Sequence, residues 1–160
     1  MLFRSRRSFR RRGTPETAHR CAVLIVDDDP DSREMLRLAL EAAGYTVATT
    51  ANGRDALVYL RSTADTCIIV LDLSLPQMDG TQFRAAQLRD RSLAWIPVVV
   101  MSGSIDGAIR ARALGARAFV PKPVDLDRLR AALRRIGCCQ ARPRGRFADT
   151  AELATIRHTK

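Results

Sequence analysis

Five polar side chains come directly after short apolar runs of the sequence: Asp27, Asp28, Asp72, Ser102 and Lys122. Carboxylates brought together repel one another unless a cation joins them, and Mg²⁺ binds such oxygens while keeping positions open for phosphate. An aspartate can attack phosphorus and form an aspartyl phosphate. Lys122 would supply a compact positive charge, and Ser102 a hydroxyl donor, for the phosphoryl oxygens. These residue types predict Mg²⁺-assisted phosphoryl transfer to Asp72.

Each of these residues alone also has an ordinary structural explanation. The acidic run 27–29 is typical of a solvated helix start, where carboxylates favour the helix dipole. Asp72 after an apolar run is a common turn former, and Lys122 between two prolines is by default a surface lysine. The functional interpretation therefore depends on all of these side chains meeting at one place.

An alternation of apolar runs with helical patterns sets where these residues lie. Runs of strand length cover 22–26, 45–49, 68–71, 97–101 and 118–120, and helical spacing covers 31–43, 54–61, 81–89, 106–114 and 125–136. Five such strand-then-helix units predict an α/β fold: a doubly wound five-stranded parallel sheet covered by five helices. In these sheets, sites form at the carboxyl ends of the strands, and all five polar residues fall at that edge.

Four segments resemble the receiver domain of two-component response regulators. They are Val23-Leu24-Ile25-Val26-Asp27-Asp28, the segment 70–80 (VLDLSLPQMDG), Val100-Met101-Ser102-Gly103 and Phe119-Val120-Pro121-Lys122-Pro123. The similarity spans about residues 21–137, with the family landmarks in order. It implies the flavodoxin-like architecture of chemotaxis regulators, with strand order 2-1-3-4-5.

The resemblance also implies a role for each matching acidic residue. Asp72 would be the phosphoacceptor. Asp27 and Asp28 would bind Mg²⁺ together with Asp72, and the main-chain carbonyl of Ser74 would complete the protein ligands. Asp29, a third acid in the run, is expected to lie outside the metal ligands.

A second group of matching residues would respond to the phosphoryl group. Ser102 would be the switch hydroxyl that moves toward it, and Phe119 the aromatic side chain that changes rotamer. Phe119 stands where the family commonly has tyrosine, so its outward form cannot donate a hydroxyl hydrogen bond. Lys122 would pair with the phosphate, and the Lys122–Pro123 peptide bond would be cis.

The function implied is signalling rather than turnover of a free substrate. A sensor histidine kinase or a histidine phosphotransfer protein would phosphorylate Asp72, and the switch would act on a downstream protein. A homodimer through the fourth helix, fifth strand and fifth helix is a further possibility. An enzyme of the phosphatase type with an Asp nucleophile is disfavoured, because Ser74 stands where its second acid would be.

The net charge of +10 lies mainly at the two ends of the chain. Residues 1–20 carry seven arginines and one glutamate, and residues 138–160 carry five basic and two acidic residues. We expect a basic, disordered leader (1–20), a receiver domain (21–137) and a basic tail that is flexible or a short helix (138–160). The 23 residues after Gly137 are too few for an output domain. Phosphorylation-gated binding of nucleic acid by the basic ends is the alternative function.

Cysteine spacing and hydropathy indicate the compartment. Cys21, Cys67, Cys138 and Cys139 show no paired metal-ligand spacing, and no apolar run approaches the roughly 20 residues of a membrane helix. We therefore predict a cytoplasmic protein that neither binds nor spans a membrane.

Overall fold

A computed structural model of the protein describes residues 21–137. The predictions for the Arg-rich leader 1–20 and the basic tail 138–160 lie outside these described residues. Within them, no helix is long and apolar enough to cross a lipid bilayer.

Five parallel strands form one sheet. They are β1 (Ala22–Val26), β2 (Thr46–Thr50), β3 (Thr66–Asp72), β4 (Val98–Ser102) and β5 (Ala118–Pro121). Their order across the sheet is β2-β1-β3-β4-β5, which confirms the predicted topology. The central β3 is longer than its apolar run suggested, because Thr66 pairs with Ala22 ahead of a register shift that falls between Ala22 and Val23.

Within residues 21–137, four helices connect consecutive strands and a fifth follows β5, and together they cover both faces of the sheet. They are α1 (Pro30–Ala42), α2 (Gly53–Ser62), α3 (Gly80–Arg89), α4 (Gly107–Ala113) and α5 (Leu126–Ile136). Three of them begin at acidic N-cap residues, since Asp29, Asp79 and Asp125 each accept a backbone N–H of the first turn. The helices differ from the predicted bounds by at most one residue at either end.

Alternate residues of each strand pack into two separate cores. Leu24 and Leu71 belong to the core under α2, α3 and α4, whereas Ile25 and Val70 belong to the core under α1 and α5. A one-residue slip of a strand would exchange the two sets, so burial on both faces fixes the register. That register places the last residues of β1, β3, β4 and β5 side by side at one edge.

The two cysteines within residues 21–137 are in different states. Cys21 is disulfide-bonded, whereas Cys67 is a free thiol. Disulfide formation depends on the separation of the two Cα atoms in space, which the spacing along the chain does not reveal.

Candidate functional site

Three carboxylates meet at the carboxyl edge of the sheet. One carboxylate oxygen from each of Asp27, Asp28 and Asp72 lies within 4.8 Å of the others. Asp27 and Asp72 are 0% and 2% exposed, and Asp28 is exposed to solvent. Asp27 and Asp28 follow β1 and Asp72 ends β3, the strand that pairs directly with β1, so the sheet order itself brings them together.

Lys122 joins two of these carboxylates. Its Nζ donates to Asp72 Oδ2 at 2.6 Å and to Asp27 Oδ2 at 3.0 Å. Partial burial of the ammonium group lowers the pKa of Lys122, but hydrogen bonds and charge from Asp72 and Asp27 more than offset this, so the pKa lies above its ordinary value of 10.5. The lysine is therefore a fixed positive charge at neutral pH, held against the two buried acids.

Neighbours on α1 fix the Asp27 side chain and its backbone. The Ser32 hydroxyl donates to Asp27 Oδ2 at 2.9 Å, and the Asp29 backbone N–H donates to Asp27 Oδ1 at 2.9 Å. Arg33 Nη1 donates to the main-chain oxygens of Asp27 and Asp28 at 2.8 and 2.9 Å. Ser32 and Arg33 belong to no motif that the sequence displays. The one hint in the sequence is their distance from Asp27. Ser32 and Arg33 follow it by five and six residues, which places them on the first turn of α1, close to the end of β1.

The Asp72 carboxylate is held from the other side by its own loop. The Ser74 backbone N–H donates to Asp72 Oδ1 at 2.9 Å, which leaves Oδ2 for Lys122. Gly80 lies against the backbone of the same loop. A Cβ added there would be 2.8 Å from the main-chain carbonyl oxygen of Asp72 and from the Leu73 Cα. A glycine is required at this position because neither backbone atom can move away. The predicted role of the Ser74 carbonyl remains a prediction.

Ser102 and Phe119 lie next to one another beside the acidic cluster. The Ser102 hydroxyl accepts the Ser104 backbone N–H at 3.1 Å, and the Lys122 backbone N–H donates to the Ser102 carbonyl at 3.0 Å. A Cβ on Gly107 would come within 3.0 Å of both Ser102 Cβ and Phe119 Cζ. The tip of the Phe119 ring therefore occupies the space that Gly107 leaves beside Ser102. The Lys122–Pro123 peptide bond is cis.

Replacing Gly107 with alanine is expected to displace the Phe119 ring. The new methyl group would have to push back either the fully buried Ser102 or the half-buried ring, and the ring is freer to move. We expect altered NMR shifts of the Phe119 ring and of Ser102, with a stability change below about 1 kcal/mol, because the better helix propensity of alanine offsets part of the overpacking. Gly103→Ala is the matched control, since its Cβ would meet only Lys122 Cβ at 3.7 Å. Equal shifts in both variants would contradict this packing account.

A second buried polar group, also absent from the sequence analysis, ties α3 to the end of α4. Arg84 donates to the Leu114 carbonyl at 3.1 Å, the Gly115 carbonyl at 3.4 Å and Gln87 Oε1 at 2.6 Å. Burial lowers the pKa of this guanidinium. The last carbonyls of a helix have no partner within the helix. The Arg84 guanidinium supplies hydrogen bonds to carbonyls at the end of α4, a helix of seven residues.

The acidic cluster has the ligands of a hard divalent cation. All three side chains offer oxygen, two are anchored by hydrogen bonds, and the exposed Asp28 leaves one side open to water and to phosphate. Asp27, Asp28 and Asp72 therefore fit Mg²⁺, and Asp29 does not, since its carboxylate caps α1 by accepting the Asp31 N–H.

Changing Asp28 to asparagine is expected to have opposite effects on metal binding and stability. It removes a charged ligand, so Mg²⁺ affinity should fall about tenfold or more. It also relieves repulsion among the three acids, so the metal-free protein should gain a little stability, by less than about 1 kcal/mol. Titration with Mg²⁺ and thermal unfolding in a chelator measure the two effects. Asp29→Asn, which makes the same charge change and keeps an N-cap side chain, should alter neither.

Comparison with known proteins agrees with this geometry. The family model of the response regulator receiver domain matches residues 23–134. The transcriptional regulatory protein TcrA of Mycobacterium tuberculosis is 36% identical over 114 residues, which cover 70% of this chain and 44% of TcrA. KdpE of the same species is 37% identical over 121 residues, 71% of this chain and 51% of KdpE. The chain thus matches only about half the length of these relatives.

Solved structures give the same result. The chemotaxis response regulator CheY4 of Vibrio cholerae is 29% identical with a TM-score of 0.67, covering 73% of this chain and 98% of CheY4. A putative response regulator from Chloroflexus aurantiacus has a TM-score of 0.69 at 28% identity, covering 73% of this chain and 97% of that one. The chain therefore belongs to the receiver domain family of two-component response regulators, a family of signalling domains.

Proposed function

We propose that Asp72 of this receiver domain is the phosphoacceptor and that Asp27, Asp28 and Asp72 hold the Mg²⁺ needed for the transfer. The observation that carries the proposal is the convergence of four charged groups from three strand ends. Two buried carboxylates share the Lys122 ammonium at 2.6 and 3.0 Å, and a third lies within 4.8 Å. The main-chain carbonyl of Ser74, the residue whose N–H donates to Asp72 Oδ1, would complete the ligands.

The residues of the chain divide the chemistry of the transfer among them. An Asp72 carboxylate oxygen attacks the phosphorus atom, the bond from phosphorus to the donor breaks, and the donor leaves with its electron pair. When bound, Mg²⁺ would offset the negative charge on the phosphoryl oxygens. The Ser74 N–H holds the carboxylate in place during the attack, and the Lys122 ammonium passes from the carboxylate to a phosphoryl oxygen.

The phosphoryl group would then act on the adjacent switch residues. It adds a charge of about −1.5 to −2 and strong acceptor oxygens next to Ser102. Turning the Ser102 hydroxyl toward it gives up the hydrogen bond from the Ser104 N–H, next to the space that the Phe119 ring tip occupies beside Gly107. Displacement of Ser102 and Phe119 would shift α4 and β5 between two arrangements, which is how a local charge biases a distant surface.

The proposal names its partners by class. The phosphodonor is a sensor histidine kinase or a histidine phosphotransfer protein, and the recipient of the signal is another protein. We place the protein in the cytoplasm, where such kinases phosphorylate receiver domains. Self-phosphorylation and slow hydrolysis of the aspartyl phosphate are then the chemical activities of the domain.

Incubation with acetyl phosphate, followed by intact-mass measurement, tests the proposal. In the presence of Mg²⁺ the protein should gain the mass of one phosphoryl group, and a chelator should prevent the gain. Circular dichroism of the same samples controls for folding. A folded protein that gains no mass with Mg²⁺ and donor in excess would refute the assignment.

A further inference from the structure

A groove of about 340 Å³ opens between the beginning of α2 and one face of α3, beside the loop that joins β3 to α3. Arg54 lines it from α2, and Met78 lines it from the loop. The wall on α3 consists of Gln82, Ala86 and Arg89, which stand at i, i+4 and i+7 and therefore share one face of the helix. The groove thus has walls from three separate segments of the chain.

The groove carries two positive charges and no acidic lining residue. Arg54 and Arg89 are both exposed to solvent. Within the part of the chain that the structure describes, neither guanidinium has an ion pair or a side-chain hydrogen bond. Arg61, also on α2, is by contrast paired with Asp90 at 3.1 Å. The two guanidinium groups of the groove are therefore available to an external anion.

The amide side chains of the groove add hydrogen-bond donors. Gln82 Oε1 accepts the Asp79 backbone N–H at 3.1 Å, and no group among residues 21–137 accepts from its Nε2. Asn52 uses its amide in the cap of α2, where it accepts the Asp55 N–H and donates to Asp55 Oδ2, each at 2.8 Å. This pairing engages the acid in the first turn of α2. A ligand would therefore meet positive charge and N–H groups, which together select an anion.

The loop wall of the groove contains a strained turn. The Met78 backbone N–H donates to the Pro76 carbonyl at 2.7 Å, and Gln77 between them has a φ of 64°. A hydrogen bond across three residues with positive φ at the centre defines the rare form of the γ-turn. Glycine would adopt this φ without strain, yet the position carries glutamine, one of the residues that line the groove. Met78 is held against the beginning of α2, since a Cβ on Gly53 would be 3.1 Å from its Sδ.

We propose that this groove binds a phosphate-bearing small molecule, such as a phosphate ester or a diphosphate. A guanidinium group pairs with phosphate or carboxylate oxygens through two parallel hydrogen bonds. A terminal phosphate has three oxygens, enough to accept from Arg54, Arg89 and an amide at once, whereas a carboxylate has two. Met78 and Ala86 supply apolar surface for the carbon skeleton of the ligand.

The size of the groove favours a small ligand over a macromolecule. A volume of about 340 Å³ is at the lower end for small-molecule sites, whereas a stable protein interface needs about 800 Å² of surface on each partner. Nucleic acid presents a long row of phosphates and requires a correspondingly long basic surface. Two unpaired arginines in one short groove match a single phosphate or diphosphate group.

Ligand binding in the groove would also affect the phosphoacceptor. Gln77 and Met78 belong to the loop that begins after Asp72, and the Ser74 N–H of this loop holds Asp72 Oδ1 at 2.9 Å. A ligand that restrains the loop would therefore change the rate at which Asp72 accepts a phosphoryl group. This regulation rests on the proposed function, whereas binding in the groove does not.

Titration of the full chain, followed by NMR, tests for the site. The probes are pyrophosphate and glycerol 3-phosphate, and the control is succinate, a dianion without phosphate. Metal-free buffer keeps phosphate from binding the acidic cluster through Mg²⁺. Both probes should shift the signals of Arg54, Gln77 and Arg89 saturably, and succinate should bind about fivefold more weakly or less. Shifts of equal size at exposed arginines all over the protein would mean an adventitious ion only and would overturn the proposal.

Charge variants separate the groove from general attraction to a basic protein. The double change Arg54→Gln and Arg89→Gln should weaken pyrophosphate about tenfold or more. The matched double change Arg112→Gln and Arg134→Gln removes the same charge from exposed helical positions outside the groove and should leave affinity within about twofold. Equal weakening in the two double variants would contradict the proposal.

A groove-filling variant tests the cavity without changing charge. Ala86→Leu places a larger side chain between Gln82 and Arg89 on the α3 wall, so it should abolish binding of both probes. Circular dichroism checks that the variant is folded. A folded Ala86→Leu protein that binds the probes as the wild type does would overturn the proposal.

An Asp72→Asn variant distinguishes failure of the groove from failure of the proposed function. It should bind glycerol 3-phosphate as the wild type does. The rate of adduct formation from acetyl phosphate and Mg²⁺ is then measured in the wild type with and without glycerol 3-phosphate. If glycerol 3-phosphate binds both proteins but leaves this rate unchanged, the groove stands and its regulation of Asp72 is refuted.

Discussion

Replacing Asp72 with asparagine is expected to abolish formation of the phosphoryl adduct while the protein stays folded. The amide is nearly the same size as the carboxylate, and it can still accept the Ser74 N–H that holds Asp72 Oδ1 at 2.9 Å. It lacks the anionic oxygen that attacks phosphorus, so no acyl phosphate can form. Intact mass after treatment with acetyl phosphate and Mg²⁺ should show the adduct in the wild type and none in the variant.

The control for this prediction is another acid of the same edge that lies outside the cluster. Asp79 caps α3 through Gln82, so Asp79→Asn keeps a capping side chain and should retain the adduct. An adduct in Asp72→Asn would contradict the assignment of the phosphoacceptor. Loss of the adduct in both variants would show that the reaction responds to any change near the site.

Replacing Lys122 with methionine is expected to destabilise the metal-free protein by about 1–3 kcal/mol. The change leaves Asp27 and Asp72 buried without their shared cation, and an unpaired buried charge is costly. The effect stays below that of a fully buried pair, because the Lys122 side chain is 27% exposed. Urea unfolding in a chelator measures the loss, and adding Mg²⁺ should recover part of it because the ion supplies positive charge to the same oxygens.

Arg37 provides a matched comparison, because it also bridges two carboxylates. It pairs with Glu34 at 2.6 Å and Glu41 at 2.7 Å on the exposed surface of α1. Arg37→Met should cost clearly less than Lys122→Met, since solvent screens such pairs. Equal losses for the two variants would mean that burial of the acids does not govern the contribution of Lys122.

The pH dependence of the Lys122 contribution follows from its raised pKa. A group whose pKa is higher in the folded protein stabilises it fully below the unfolded pKa and loses that contribution as the pH rises through the folded value. The difference between wild type and Lys122→Met should therefore be constant from neutral pH up to about 10.5 and shrink at higher pH.

The sequence was sufficient for the parts of the structure that depend on local pattern. Apolar runs bounded by acids and glycines located all five strands, and strand polarity alone put Asp27, Asp72, Ser102 and Lys122 at one edge. The match to receiver-domain motifs supplied the strand order. Strand order depends on contacts between residues far apart in the chain, and hydrophobic periodicity reports only local secondary structure.

Contacts between distant side chains could not be predicted in this way. Arg84 donates to the Leu114 and Gly115 carbonyls, which lie 30 and 31 residues further along the chain. Gly107 reads in the sequence as an ordinary helix start, and only the positions of Phe119 and Ser102 reveal that a side chain there would be tightly packed. These features depend on how helices and strands pack against one another. Because each residue also has an ordinary local explanation, the sequence alone does not point to its tertiary role.

The most direct test of the acidic cluster as a phosphoacceptor site is to locate the phosphoryl group on the chain. After treatment with acetyl phosphate and Mg²⁺, borohydride reduces an aspartyl phosphate to homoserine, and peptide mass spectrometry finds the altered residue. We predict homoserine at Asp72 alone, with none when a chelator replaces Mg²⁺. Homoserine at Asp27 or Asp28, or modification of Asp72 that persists in the chelator, would contradict the account.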